Sequence, residues 1–375
     1  MKKRAPSHTT TLLKHTAATT LLACSLSTPA LAGNVNFYNW SDYIAPDTLN
    51  NFEKETGNNV TYDVFDSNEV LEAKLMAGGS GFDIVVPSSQ FLGRQIKAGI
   101  FQEMDRNQLP NYKHLDPELM KVLTDVDPGN RYGIPYLWGT TGIGYNVEMV
   151  KKALGDNAPV NSWDLIFKPE NLSKLRECGV AILDTPAEVM PIALNYLGKP
   201  PNSPKKSDYK SGSELAQLLK TMRPNVRYFH SSQYINDLAN GEICVALGWS
   251  GDILQAATRA EENKNGVTID FTIPKEGAPV WFDMLAVPAD AKNSTQAFQL
   301  IDYLLRPEVM ANITNYVAFA NANKASYPLI DNDITNDQRI YPPAEVKENL
   351  FSLQVMPKNI DKAMTRLWTN MKANR

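Results

Sequence analysis

Cysteine and histidine are scarce: the 375-residue chain has three of the first and four of the second. Cys24, His8 and His15 lie near the N-terminus, in what reads below as a leader, which leaves only Cys178, Cys244, His114 and His230. Residues this few, without metal-type spacing, nearly exclude a His/Cys metal cluster, and no metal or other cofactor is expected. In an exported protein the two remaining cysteines read as one structural disulfide, with two buried thiols as the alternative. Beyond the leader no apolar run approaches the roughly 20 residues that span a bilayer, so a soluble protein is expected. Positive charge is also short. Without the leader the chain carries 33 basic and 41 acidic side chains, a net charge of −8, which disfavours nucleic acid and favours cationic ligands. Signatures of catalysis are missing as well: Gly78-Gly79-Ser80-Gly81 lacks the lysine and hydroxyl of a phosphate loop, and neither G-x-S-x-G nor H-E-x-x-H occurs.

What is present begins with export. Lys2, Lys3, Arg4 and Lys14 form a basic region, about Thr16 to Leu26 a modest apolar one, and Ala30-Leu31-Ala32 an A-x-A site, so residues 1–32 read as a signal peptide. A competing reading makes Leu21-Leu22-Ala23-Cys24 a lipoprotein box with Cys24 lipidated, but the run before Cys24 is short and polar. Cleavage after Ala32 leaves 343 residues, enough for two domains with a core each.

The remaining chain alternates strand and helix signals. Val35 to Asn39 alternates as a strand, Pro46 sits where a helix begins, and Gly57 closes it. Asn59 to Val64 reads as a second strand, Asp66 or Ser67 to Met76 as a capped helix, Phe82 to Val86 as a buried strand and Phe91 to Lys97 as a helix. This rhythm predicts an α/β fold with doubly wound, largely parallel sheets. The long, glycine-dotted stretch from Tyr132 to Asn146 is expected to cross between two lobes, its glycines permitting a hinge. The rhythm restarts to about Gly266 with strands at Val180 to Leu183, Val226 to Phe229 and Ile243 to Leu247, and Val280 to Pro288 reads as a second crossing. The expected division is therefore residues 33–138 and 279–310 in one lobe and 139–278 in the other, with the helices of 311–375 assigned to neither.

Chemistry recurs at the expected strand ends. Trp40 to Tyr43, Ser88-Ser89, Trp249 to Asp252 and Trp281 to Asp283 carry indoles, hydroxyls and carboxylates, and Glu188 follows the strand at Val180. Open α/β sheets bind ligands at such ends. An ammonium gains roughly 1.5–3 kcal/mol per charged hydrogen bond to a carboxylate, and desolvated aromatic faces add up to about 2 kcal/mol. Each residue also has a plainer reading. Glu188 completes a capping box with Thr185, Asp252 caps a helix, Asp42 sits in a turn, and Trp249 and Trp281 fill the core. Paired carboxylates near tryptophans leave a secreted glycan-active hydrolase as the enzyme alternative.

Taken together, Asn39-Trp40-Ser41-Asp42-Tyr43, Asp83 to Ser88, Tyr132-Gly133-Ile134-Pro135-Tyr136, Tyr228 to Ser232, Gly248-Trp249-Ser250-Gly251-Asp252, Ile273 to Gly277, Phe282-Asp283 and Ala320 to Asn323 closely resemble the periplasmic polyamine-binding proteins of ABC importers. The likeness runs over essentially the whole chain after the leader. It implies a two-lobed type II binding protein, not an enzyme, working as a monomer with a membrane permease. Within that resemblance, Trp40, Trp249 and Trp281 stand as aromatic walls and Asp42, Glu188, Asp252 and Asp283 as carboxylates. Ser41, Tyr43 and Ser88 stand as hydrogen-bonding partners. Phe319 occupies a position that is often Tyr in the family, and Cys178 and Cys244 match the family's disulfide. Trp281 stands where putrescine binders carry Phe and spermidine binders Trp, which leans toward a longer amine.

Overall fold

Alternation opens the fold. In Asn34–Trp40 (β1), Val35 and Phe37 are wholly buried, and from Phe37 on every residue is buried, as in a strand covered on both faces. The computed structural model describes Met1 and residues 33–373, so the expectations for the leader, Cys24 included, lie outside the described residues. β1 pairs in parallel with Asn59–Phe65 (β2) on one side and Ile84–Val85 (β3) on the other. The helix between β1 and β2, Thr48–Thr56, starts two residues after Pro46 and ends at Gly57, whose φ of 74° the missing Cβ allows. Ser67 caps the next helix, Asn68–Met76, by accepting from the Val70 N–H. β3 is shorter than the Phe82 to Val86 run expected. Asp83 is engaged elsewhere, its carboxylate accepting from the backbone N–H groups of Asn36, Lys292 and Asn293.

Downstream come Gly133–Asn146 (β4), Val180–Ile182 (β5), Tyr228–Phe229 (β6), Val245–Trp249 (β7), Ile269–Thr272 (β8), Pro279–Ala286 (β9), and two short strands, Ala320–Asn321 (β10) and Phe351–Ser352 (β11). The sheet runs β2-β1-β3-β9-β4-β7-β5-β6, with β8 and β10 on β4 and β11 on β9. β4 joins its two ends. Residues 133–140 pair antiparallel with β9, and residues 141–146 pair antiparallel with β7 and β8. The glycines of β4 serve close packing, and none has a positive φ. A Cβ on Gly142 would lie 2.4 Å from the Thr272 carbonyl, and one on Gly144 would lie 2.3 Å from Ile253 Cδ1.

Around the far end, β5 lies between β6 and β7, parallel to both. The disulfide Cys178–Cys244 joins the residues just before β5 and β7, across 66 positions of sequence, and excludes the reading of two free thiols. The tail divides between the two ends of the sheet. Helices Ser294–Leu304 and Pro307–Val317 pack near β1 and β10, whereas the last helix, Lys358–Lys372, lies on helices Pro186–Tyr196 and Glu214–Met222. Its Trp368 stands edge-on to Phe229 at 5.2 Å and donates to Asp184, which Lys372 also pairs. Among the described residues no helix is long and apolar enough to cross a membrane.

Candidate functional site

Three buried carboxylates define the site. Asp283 projects from within β9, beside Ser88 of the loop after β3, with which it forms an isolated bridge. Its oxygens accept from the Ser88 hydroxyl at 2.5 Å and from the Tyr43 hydroxyl at 2.8 Å. Asp252 lies in the first turn of helix Ser250–Asn263, directly after β7, and accepts from the Tyr234 hydroxyl at 2.7 Å. Glu188, in the first turn of helix Pro186–Tyr196, accepts from Thr141 Oγ1 at 2.7 Å and from Trp249 Nε1 at 3.1 Å. Each is 5% exposed or less. Among the described residues, every hydrogen bond they accept comes from a hydroxyl or an indole, and none from a Lys or Arg.

The plainer readings of these acids give way. Thr185 makes no capping bond and donates instead to Glu69 Oε1, so the expected capping box is absent and Glu188 is free to face inward. Asp252 follows the N-cap residue Trp249 and is held by Tyr234, not by the helix terminus.

Aromatic rings line the space between. Trp40 is the last residue of β1 rather than part of the following loop, and its Nε1 donates to the Val86 carbonyl at 2.8 Å. It meets Trp249, the last residue of β7, edge-on at 5.3 Å. Phe319 stands edge-on to both Tyr43 and Trp281, at 5.1 and 5.5 Å. Its ring fills the space a Cβ on Gly251 would enter, at 2.5 Å, which accounts for that glycine. Trp281 lies two residues before Asp283 within β9, so this pair sits mid-strand and not at the strand end expected.

These groups line one common cavity, walled by Trp40, Ser41, Tyr43, Ser88, Glu188, Trp249, Asp252, Trp281, Asp283 and Phe319. Of the residues singled out in sequence, Asp42 alone does not reach the wall. Its backbone is left-handed, with φ 54°, and its carboxylate pairs with Arg259 at 2.6 Å on the partly exposed rim. The structure adds partners that the sequence did not mark: Thr141, Tyr234, and Asn68, whose amide is bonded to Ser88. Gly248 was the available sign for Tyr234, since a Cβ there would fall 2.7 Å from the tyrosine ring.

Burial sets the protonation of the wall. Loss of solvent pushes Asp252 and Asp283 up to about 7, although the hydroxyls bonded to them pull the other way. Glu188 is raised for the same reason, opposed by Thr141 and Trp249. Burial, with the carboxylates beside them, holds Tyr43 and Tyr234 well above the ordinary tyrosine value, so both phenols keep their protons and act as donors. Holding these acids as anions therefore costs free energy unless a counter-charge is beside them. A cation with an apolar stem relieves that cost, its charge on the acids and its methylenes on the indoles.

The chain matches the family model for bacterial extracellular solute-binding proteins over residues 47–342. It is 58% identical over 356 residues to the putrescine-binding periplasmic protein PotF of Escherichia coli K12, covering 95% of this chain and 96% of that one. It is 35% identical to the spermidine/putrescine-binding periplasmic protein of the same organism, over 90% of this chain and 91% of the relative. A solved structure from Listeria monocytogenes superposes with a TM-score of 0.80 at 34% identity, covering 91% of this chain and 99% of that one. The spermidine/putrescine ABC transporter substrate-binding protein PotD of Streptococcus pneumoniae superposes with a TM-score of 0.70 at 28% identity, over 91% and 99% of the two chains. The architecture is that of type II periplasmic binding proteins, and the chain belongs to the bacterial extracellular solute-binding protein family.

Proposed function

We propose that this protein captures linear di- and polyamines of the putrescine and spermidine kind and delivers them to the permease of an ABC importer. The observation that carries the reading is the cavity itself: three buried acids with only neutral donors, walled by Trp40, Trp249 and Trp281. An ammonium at each end of an alkyl chain supplies the missing charges. Ser41, Tyr43 and Ser88 complete the contacts, and Phe319 contributes a ring without a hydroxyl. The roles named in the relatives point the same way, since they bind putrescine or spermidine.

The two ends of the sheet act as two lobes, the first built on residues 33–138 and 279–310, the second on 139–278. A ligand touching both stabilises the closed arrangement by its differential affinity. Export follows cleavage after Ala32, which intact-mass measurement of the mature protein checks by a chain starting at Gly33; a lipidated Cys24 would contradict it. Trp281 supports a wider amine range, with spermidine competing well against putrescine. The glycan-hydrolase alternative finds no support among the relatives, which are solute-binding proteins.

A thermal-shift screen tests the function. Only a ligand of the folded state raises the melting temperature in proportion to its occupancy. Polyamines are expected to raise it and oligosaccharides to leave it unchanged; the opposite pattern overturns the assignment.

A further inference from the structure

Ser88 stands at the N-cap of helix Ser89–Lys97, where a serine hydroxyl ordinarily accepts from the helix's own N–H groups, yet here it makes no capping bond. Asn68 takes its place as partner. The Asn68 Nδ2 donates to Ser88 Oγ at 2.8 Å, and the Ser88 backbone N–H donates to Asn68 Oδ1 at 2.9 Å. The second bond settles the amide's orientation, because a backbone N–H is only a donor and must face the oxygen. The amide nitrogen therefore faces the hydroxyl, which must receive that bond and send its own proton elsewhere. The acceptor within reach is Asp283 Oδ1, at 2.5 Å. Asn68 is 3% exposed and does not line the cavity.

We infer that Asn68 is a positioning residue that holds the Ser88 proton on Asp283 and so makes this end of the cavity acceptor-only toward the ligand. Tyr43 completes the arrangement by donating to the other Asp283 oxygen. With both hydroxyl protons engaged and Asp283 ionised, the Ser88–Asp283–Tyr43 cluster offers lone pairs and no N–H or O–H. An ammonium, which has only donors, fits it. A carbonyl oxygen, which only accepts, meets no donor, and a hydroxyl can give the cluster one neutral bond where an ammonium gives up to three charge-assisted ones. Selection for an amine over the matching alcohol is thus set by a side chain outside the cavity. The inference rests on the polyamine reading of the site and goes beyond it by naming what enforces the preference.

The test compares 1,4-diaminobutane with 4-amino-1-butanol by calorimetric titration of the full chain. The wild type is expected to favour the diamine strongly. In Asn68→Ala the Ser88 hydroxyl is free to turn, and the preference is expected to fall at least about fivefold, the diamine losing more than the alcohol. In a Ser88→Ala background the same substitution is expected to leave the preference unchanged, since it acts through that hydroxyl. Where Asn68→Ala proves too unstable to titrate, Asn68→Leu, close in shape and without the amide's donor and acceptor, is read in the same way. Equal weakening of both ligands, or an equal effect in the Ser88→Ala background, makes Asn68 a structural residue and overturns the inference alone. Failure of the wild type to bind the diamine at all overturns the polyamine reading and the inference with it.

Discussion

Asp252 and Asp283, when ionised, carry a burial penalty that a bound cation relieves. Their values of about 7 in the fold lie above the roughly 3.9 of a solvated Asp, so between these limits the folded chain holds more protons than the unfolded one. Ligand-free stability is therefore greatest below about pH 4 as far as these groups decide it, and declines as pH rises toward 7. Amine binding runs the other way, because it needs the anions and the amine stays protonated throughout. Titration is expected to show affinity strengthening at least about tenfold from pH 5.5 to pH 8, with protons released on binding at the acid end. A flat profile would mean the acids do not meet the ligand. Asp283→Asn or Asp252→Asn is expected to weaken amine binding at least tenfold, about 1.4 kcal/mol. Neither should lower the melting temperature of the empty protein at pH 8, where a buried charge has been removed; unchanged affinity in both would count against the site. Asp42 shows the limit of reading residues from a motif. It lies inside the block Asn39 to Tyr43, yet its left-handed backbone turns the carboxylate to Arg259, some 217 positions away in sequence.

Among the elements, β4 carries the most weight, and its extent was legible because no other stretch is so long and so extended. The reason for its glycines was not legible, since the groups they make room for come from distant strands and helices. Gly139 is the useful case. A Cβ there would meet Ser250 Oγ and the Trp281 ring, each at 2.9 Å. Gly139→Ala is expected to displace that indole and weaken amine binding at least about fivefold, with a smaller effect on an amine too short to reach it. Equal titrations of mutant and wild type would show that the ring yields without consequence. The helices were readable from their caps and periodicity, as at Ser67 and Gly57, but β10 and β11 were not. Two-residue strands have no periodicity, and they exist because β4 and β9 leave backbone groups to pair. The inward partners Asn68, Thr141 and Tyr234 were hidden for a related reason: each gains its role from a contact made by the fold.

At the scale of the molecule, the disulfide closes a loop spanning 66 positions within the second end of the sheet. Replacing Cys178 and Cys244 together by alanine is expected to cost about 2–4 kcal/mol of stability, mainly by enlarging the freedom of the unfolded chain. Amine affinity should change little, because neither cysteine lines the cavity. Denaturant unfolding with and without reductant reads the first effect, and a reductant-insensitive midpoint would contradict it.

The cavity draws its walls from β1, the loops after β1 and β3, β7, β9, the starts of two helices and Phe319, so a ligand that fills it is expected to hold the two ends of the sheet together. Calorimetric titration of the ligand-free protein with putrescine and spermidine tests this most directly. The account predicts saturable one-to-one binding of both, with putrescine favoured over spermidine by no more than about tenfold. Absence of binding by either amine would contradict it.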